Sequence, residues 1–158
     1  MMNKILKYGI QILVLIGTVY SVSSCGINDT GIIDAEFIPY VRDFEENMGV
    51  KVTGINIRFG NTRYPTIGWC QITPGLNEIE IDSAFWMSAD DKAREQLLYH
   101  ELGHCILYLD HDDRRVRINN ANIEGSIMNT YFFGNRDYYR NYNSQYKAAL
   151  KRNALLSI

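Results

Sequence analysis

Hydrophobic residues after position 33 follow a helical period first and an alternating period next. Between Asp34 and Gly49 they recur every three or four residues, at Phe37, Tyr40, Val41, Phe44 and Met48. This spacing predicts an amphipathic helix that Asp34 caps. The next segment, "VKVTGINIRFG", alternates and is rich in β-branched residues, which predicts a strand at about residues 51–59. "TIGWCQIT" and "EIEID" predict two further strands, with "PGLN" as the turn between them.

The second half of the chain predicts helices separated by a long loop. Ser88, with Asp91 three residues later, resembles a capping box ahead of a helix at about residues 89–109. The segment "DHDDRRVRINNANIEGS" has no period and is interpreted as loop. Asp137 is placed to cap a last helix through "YYRNYNSQYKAALKR". This order of elements predicts an α+β domain.

The N-terminus has the layout of a secretory signal. Lys4 and Lys7 precede a short apolar run, and small residues follow it. "VSSC" resembles the lipobox of bacterial lipoproteins, which implies cleavage after residue 24 and acylation of Cys25. We therefore expect a signal peptide at 1–24, a lipidated tether at 25–33 and a domain at 34–158. The expected location is the bacterial cell envelope, on a membrane and outside the cytoplasm, with inner and outer membrane both open.

The composition of the mature chain narrows the range of partners. Removal of residues 1–24 leaves 134 residues, enough for one compact domain. Without Lys4 and Lys7, 14 basic and 18 acidic residues give a net charge of −4. There is no basic block, which argues against a nucleic-acid partner. We expect a monomer whose partners are the membrane, through its lipid anchor, and a peptide or protein substrate.

Two cysteines remain in the mature chain, Cys70 in a predicted strand and Cys105 in a predicted helix. An exported protein can join them in a disulfide. Two buried free thiols are equally compatible with the spacing, because sequence separation does not determine pairing. A zinc-ligand role for these cysteines is a third alternative, and all three stay open.

The stretch "HELGHCILYLDH" carries the candidate chemistry. His100 and His104 are four residues apart, so a helix places both imidazoles on one face, one turn apart. Glu101 lies beside them and is free to act as a general base. The chain has three histidines, and all of them fall within residues 100–111. Imidazole ligands in hydrolytic sites usually bind zinc, so the sequence predicts a Zn²⁺ site.

The remaining positions of this helix predict how it packs. Gly103 lies inside the helix, where glycine costs about 1 kcal/mol relative to alanine, so we expect a neighbour to approach closely there. The face of the helix roughly opposite His100 and His104 is apolar and is expected to pack on the core. Its residues are Leu98, Leu102, Cys105, Ile106 and Leu109.

A zinc site of this type needs a third protein ligand, and three residues are candidates. His111 lies seven residues after His104, Asp110 lies six residues after it, and Glu124 lies twenty residues after it. A carboxylate can bind zinc, so neither acid is excluded by its chemistry. His111 is the preferred ligand, with Asp110 and Glu124 as alternatives.

"HELGHCILYLDH" resembles the matrixin form of the metzincin motif, in which HExGH leads to a Leu-Asp-His ending. Here "LDH" is displaced by one inserted residue, and Leu107 stands where the family has a helix-ending glycine. The turn is then expected at residues 108–110, with Asp110 tolerating the unusual backbone. The resemblance implies a small metzincin-like zincin domain and a zinc endopeptidase. It also implies His111 as third ligand and Glu101 as general base.

Further segments extend the resemblance. "GSIMNTY" is similar to the metzincin Met-turn, which implies that Met128 lies beneath the zinc and that Tyr131 can support an oxyanion. "NEIEID" resembles the edge strand that pairs with an extended substrate. "YFFGNRDYY" is expected either to form a pocket wall or to belong to the core, and Trp69 and Trp86 are expected to be core residues.

Two other functions stay open. The chain could be a zinc-stabilised lipoprotein that binds a partner and hydrolyses nothing. It could also hydrolyse cell-wall peptide or another amide. Glu101 favours an enzyme over a binding protein, because no structural role demands an acid at that position.

Overall fold

The structure, a computed structural model, describes residues 31–62 and 65–157. The predicted signal peptide, the predicted lipidation site Cys25 and residues 26–30 of the predicted tether lie outside the described residues. Among the described helices, none combines the length and the apolar character needed to cross a membrane.

The domain starts with a segment of the predicted tether that contacts the sheet. Ile33 forms a parallel bridge with Ile57, and the Ile57 amide donates to the Ile32 carbonyl at 2.8 Å. A Cβ on Gly31 would overlap the backbone of Ile55, so only glycine fits where the chain runs against the sheet. Residues 31–33 are therefore packed on the domain rather than free of it.

The predicted N-terminal helix is present. A single 3₁₀ turn, Ala35–Phe37, buries Phe37 and leads into α1, Ile38–Met48, which buries Val41, Phe44 and Met48. Gly49 ends the helix in the left-handed region, at φ 75°. Asp34 occupies the N-cap position, as predicted, but its side chain makes no capping hydrogen bond. Its carboxylate accepts from the Phe59 amide at 3.2 Å instead.

Three strands form one mixed sheet with the order β1-β3-β2. These strands are β1, Ile55–Gly60; β2, Gly68–Gln71; and β3, Asn77–Asp82. β3 lies in the centre, parallel to β1 and antiparallel to β2. The prediction that "NEIEID" is an edge strand is therefore wrong, since β2 occupies that edge. β1 also begins later than the strand predicted from residue 51.

Two helices follow the sheet where one was predicted. A short helix, α2, spans Ser83–Ser88, and α3 spans Asp91–Cys105. The predicted Ser88–Asp91 capping box is wrong. The Asp90 carboxylate caps α3 by accepting from the Lys92 and Ala93 amides, both at 3.0 Å. The helix also ends at Cys105, four residues before the predicted end.

The segment interpreted as loop contains a β-hairpin. β4, Arg115–Ile118, pairs antiparallel with β5, Ala121–Glu124. Asn119 and Asn120 form the turn, with φ 49° and 66°. Asparagine tolerates positive φ, which a two-residue hairpin turn of type I′ requires at both positions. The strand pattern is weak in sequence because most side chains of both strands are exposed to water.

The C-terminal helical region is divided in two. α4 spans Asp137–Asn141 and α5 spans Asn143–Leu156. Asp137 lies in the first turn of α4 and makes no side-chain cap, so its predicted capping role is wrong. Tyr139, Tyr146 and Leu150 are buried in the core. The observed class is α+β, as predicted.

An ionic network joins α1, α3 and α5. Lys147 is only 7% exposed and contacts Asp43 Oδ2 at 2.5 Å and Glu95 Oε2 at 3.0 Å. The Tyr99 hydroxyl donates to the same Asp43 oxygen at 2.7 Å. Burial acts to raise the pKa of Asp43, but the hydrogen bonds from Lys147 and Tyr99 outweigh it and hold the pKa below its usual value. The charged form of Asp43 therefore stabilises the folded state.

Replacement of Asp43 by Asn is expected to reduce the free energy of unfolding at pH 7 by about 1 kcal/mol, since the carboxylate is partly solvent-screened. The folded-state pKa is depressed, so this contribution exists above the unfolded pKa, near 3.9, and disappears as pH falls through the folded value. Urea unfolding at pH 7 and pH 3 should show the difference shrinking on acidification. An equal difference at both pH values would contradict the assignment.

Candidate metal centre

Helix α3 presents two imidazoles on one face and an apolar surface on the other. Leu98, Leu102 and Cys105 have no exposed surface, which confirms the prediction that this face packs on the core. Leu109 is buried and Ile106 is partly buried just after the helix ends. His100 and His104 are half-buried and face a cavity. The amphipathic placement predicted for the helix is therefore present.

The chain reverses after α3 through Tyr108, which adopts a φ of 54°. The expectation that Asp110 carries the unusual backbone is wrong, because the left-handed residue comes two positions earlier. The Leu109 amide donates to the Gly103 carbonyl at 3.0 Å and closes the turn. Beyond it, the Asp112 amide donates to the Met128 carbonyl at 2.8 Å. This turn brings His111 back against the helix.

The three histidine side chains meet at one point. His104 Nε2 lies 3.1 Å from His100 Nε2 and 3.3 Å from His111 Nε2. All three potential ligand atoms lie within 4.8 Å of one another. In a tetrahedral zinc site with bonds of about 2.0–2.1 Å, neighbouring nitrogens are about 3.3 Å apart. The spacing therefore fits one zinc ion.

Two of the rings are oriented by backbone carbonyls. His100 Nδ1 lies 2.9 Å from the Ile127 carbonyl and His104 Nδ1 lies 2.6 Å from the Leu109 carbonyl. A carbonyl can only accept, so each Nδ1 carries the proton and each Nε2 presents a bare lone pair. Two lone pairs 3.1 Å apart repel each other unless a cation lies between them. The hydrogen bonds outside the cluster thus prepare the nitrogens for a metal.

The surroundings also favour neutral imidazoles. Burial lowers the pKa of His100 to about 4. Burial is likewise the main reason that the pKa of His104 lies below its usual value. A histidine binds metal only in its neutral form, so this environment keeps both side chains ready to act as ligands at neutral pH.

The two carboxylates considered as third ligands lie outside the cluster. Asp110 is exposed and is not part of the metal-compatible group among the described residues. Glu124 is held elsewhere, with Arg115 Nη1 at 3.2 Å from its Oε1 and the Tyr138 hydroxyl donating to its Oε2. Only His111 completes the group with His100 and His104 in the described part of the chain.

Glu101 lies next to this cluster and is almost fully buried. Its side chain is 4% exposed and lines the same cavity as the three histidines. Burial raises the pKa of Glu101 to about 8. A Cβ on Gly68 would lie 3.0 Å from Glu101 Oε1, so the glycine of β2 leaves room for the carboxylate. This arrangement suits a proton acceptor that a nearby cation would keep ionised.

Met128 occupies a tight turn beneath the histidines. Ile127 and Met128 form the turn, and the Asn129 amide donates to the Ser126 carbonyl at 3.2 Å. Met128 is buried, and its sulfur fills the space where a Cβ on Gly103 would lie. The prediction of a close neighbour at Gly103 is confirmed. Met128 therefore packs directly against α3 at Gly103.

A cavity of about 670 Å³ opens over the cluster, between α3, β2 and the segment after the turn. Tyr131 is 75% exposed and stands at its wall beside Phe132. The segment "YFFGNRDYY" was expected either to form a pocket wall or to belong to the core. It does both, because Tyr131 and Phe132 lie in the cavity wall, whereas Phe133 and Tyr139 are buried in the core. Trp86 is a core residue as predicted.

The structure decides between the alternatives left open for the cysteines, because Cys70 and Cys105 form a disulfide that ties β2 to the end of α3. Two features of the cavity were missed in the sequence. Trp69 was expected in the core, but it lines the cavity from β2. Gln96 lines the cavity one helical turn before His100. Its position four residues before His100 was the available signal, because residues at that spacing share a helix face.

The function of the site has to be inferred from its own geometry, because comparisons with known proteins identify no relative. No family model, curated protein or solved structure matches the chain.

The contact between Gly103 and Met128 predicts a coupled pair of substitutions. Gly103→Ala adds a methyl group that overlaps the Met128 sulfur, so we expect a loss of about 1–3 kcal/mol in unfolding free energy despite alanine's better helix propensity. Met128→Ala removes the obstruction, and the double variant should lose less than the sum of the two single losses. Urea unfolding of the four proteins measures the coupling. Simple additivity would show that the two residues are not in contact.

Proposed function

We propose that the protein is a zinc-dependent endopeptidase with His100, His104 and His111 as ligands. The observation that carries the proposal is the convergence of three imidazole nitrogens beside a buried carboxylate in an open cavity. Three histidine ligands leave one position of a tetrahedral site free, which is the arrangement of catalytic rather than structural zinc. Zinc bound there supplies Lewis acidity that polarises a carbonyl and makes a water molecule more acidic.

Glu101 serves as the general base in this proposal. It accepts a proton from the attacking water as the new C–O bond forms at the peptide carbonyl. It then returns the proton to the amine nitrogen as the C–N bond breaks, so Glu101 ends the cycle ionised. It lines the cavity beside the ligands, and no other residue in the described part of the chain donates a hydrogen bond to its carboxylate, which is therefore available for both transfers.

Strand β2 is the proposed docking edge for the substrate backbone. It pairs with β3 on one side, and within the described residues no strand pairs with its other side. Residues Ile67, Gly68 and Trp69 of this region line the cavity. An extended peptide can therefore add to the sheet beside the histidines and hold its backbone across them.

Tyr131 is proposed as a group that supports the reacting oxygen. Its exposed side chain stands at the cavity wall, and its amide is anchored by the Asn129 side chain at 2.9 Å. The neighbouring Thr130 is fixed by Asp113, which accepts from the Thr130 amide at 2.7 Å and hydroxyl at 3.0 Å. A phenol held on this anchored segment can donate to an oxygen that gains charge during the reaction.

The metzincin relationship and the envelope location are parts of the same proposal. Three features support the metzincin relationship: the turn that holds Met128 against the helix, the return of His111 to the helix, and the antiparallel edge strand β2. The lipobox-like "VSSC" supports acylation of Cys25 and attachment to a membrane. The Cys70–Cys105 disulfide supports an oxidising compartment outside the cytoplasm.

Three variants test the proposal when compared with the wild-type protein. Glu101→Gln should keep zinc and lose cleavage of a mixed quenched-peptide library by about 10²–10⁴-fold, because the base is removed and the ligands remain. His111→Ala should lose bound zinc, while Asp110→Ala, one residue away, should keep both zinc and activity. Zinc content and peptide cleavage are measured on each purified protein.

The contrary outcomes separate the alternative functions. Full zinc occupancy with no cleavage of peptides, folded proteins or cell-wall peptide would indicate a zinc-stabilised binding protein. Cleavage of cell-wall peptide alone would indicate an amidase of that substrate. Full zinc in His111→Ala would assign the third ligand to Asp110 or Glu124.

A further inference from the structure

The third histidine of the cluster is held differently from the first two. His100 and His104 lie in α3, and each ring has a backbone carbonyl at its Nδ1. His111 is exposed and lies between α3 and β4, outside any helix or strand. In the described part of the chain, its ring makes no hydrogen bond outside the histidine cluster. The position of His111 therefore depends on the contacts of the backbone that follows it.

Two contacts attach that backbone to the turn at Met128 and to the residue two positions after Met128. The Asp112 amide donates to the Met128 carbonyl at 2.8 Å. The Asp113 carboxylate accepts from the Thr130 amide at 2.7 Å and from the Thr130 hydroxyl at 3.0 Å. The first contact joins two backbone groups, whereas the second depends on the side chain of Asp113. Asp113 thus connects the segment that carries His111 to the cavity wall.

The wall segment that receives this contact has few other attachments. Thr130 and Tyr131 line the cavity, are exposed and lie outside any helix or strand. The Tyr131 amide donates to Asn129 Oδ1, which is a contact within the same segment. Among the described residues, Asp113 supplies the only hydrogen bonds to Thr130. The placement of this part of the wall therefore depends on Asp113.

These contacts make the two exposed segments depend on each other. Hydrogen bonds to a carboxylate are stronger than neutral ones, and both bonds to Asp113 require that the two segments be in place together. Fixing one segment therefore removes part of the entropy cost of fixing the other. A metal held by His111 would restrain Asp113, two residues later in the chain. By linkage, an ordered wall would strengthen metal binding by the same factor.

We infer that Asp113 is a positioning residue that links metal occupancy at His111 to the placement of Thr130 and Tyr131 in the cavity wall. The inference rests on the proposed function, because it uses His111 as a zinc ligand and Tyr131 as part of the substrate cavity. Asp113 itself touches neither the metal nor the substrate in this role. Its carboxylate transmits the restraint from one segment to the other.

Amide hydrogen exchange at Thr130 and Tyr131, followed by NMR, tests the link. It is measured on the purified protein loaded with one zinc equivalent and again after chelation, with bound zinc quantified each time. The wild type is compared with Asp113→Ala, Asp113→Asn and Asp110→Ala. Asp110 is exposed, lies next to His111 and makes no hydrogen bond within the described residues, so its substitution is the matched control.

In the wild type and in Asp110→Ala, zinc should slow exchange of the Thr130 amide by about tenfold, the effect of one hydrogen bond to a charged acceptor. Asp113→Ala keeps all three histidines, so it should still bind zinc, but zinc should no longer change exchange at Thr130. Its zinc affinity, measured by competition with a chromophoric chelator, should fall by about tenfold. Asp113→Asn keeps one acceptor oxygen and should show intermediate values of both quantities.

The contrary outcomes distinguish the link from a purely structural role of Asp113. Exchange at Thr130 that is equally slow with and without bound zinc in the wild type would overturn the inference and leave the metal centre intact. A zinc effect that persists in Asp113→Ala would overturn it as well. If that variant does not fold, a zinc effect of full size in Asp113→Asn has the same meaning.

Zinc content and peptide cleavage separate this inference from the proposed function. A wild-type protein that binds no zinc would overturn both. Zinc-dependent protection of Thr130 without cleavage of any peptide would reject the protease and retain the link between the metal and the wall. Cleavage by a zinc-loaded wild type whose Thr130 exchange ignores zinc would retain the protease and reject the link.

Discussion

The metal centre depends on the contact between helix α3 and the turn at Ile127 and Met128. The Ile127 carbonyl orients the His100 ring at 2.9 Å, and the Met128 sulfur fills the gap left by Gly103. The Met128 carbonyl accepts from the Asp112 amide at 2.8 Å and so places His111. The turn thus acts on ligands that come from two separate segments. Its displacement would change the spacing of the three imidazoles together, even though the turn itself supplies no ligand.

One covalent link and one ionic network restrain helix α3. The Cys70–Cys105 disulfide joins the edge strand β2 to the residue that follows His104. On the far side of α3, the buried Lys147 joins the helix to α1 and α5 through Asp43 and Glu95. The helix is therefore restrained on both flanks, which suits a site whose ligands must keep fixed separations. The exposed Tyr131 stands in the wall of the same cavity.

Periodic patterns in the sequence predicted the elements that place the site, and tertiary contacts determined the rest. The helical spacing of His100 and His104 and the close neighbour expected at Gly103 follow from local geometry. The central position of β3, by contrast, depends on pairing with β1, which no local pattern reveals. The hairpin at 115–124 was missed because its exposed strands lack apolar alternation. Asp90 replaced Ser88 as the cap because Ser88 ends a separate helix. The left-handed Tyr108 was unexpected, since tyrosine has no general preference for that conformation.

X-ray absorption at the zinc edge of the protein loaded with one zinc equivalent tests the central claim most directly. We expect a four-coordinate shell at about 2.0–2.1 Å, with the outer-shell scattering of three imidazoles and one further light atom. Substitution of His111 by Ala should reduce the imidazole contribution from three to two. A shell with two imidazoles in the wild type, or with a carboxylate in place of the third, would contradict the assignment of His111.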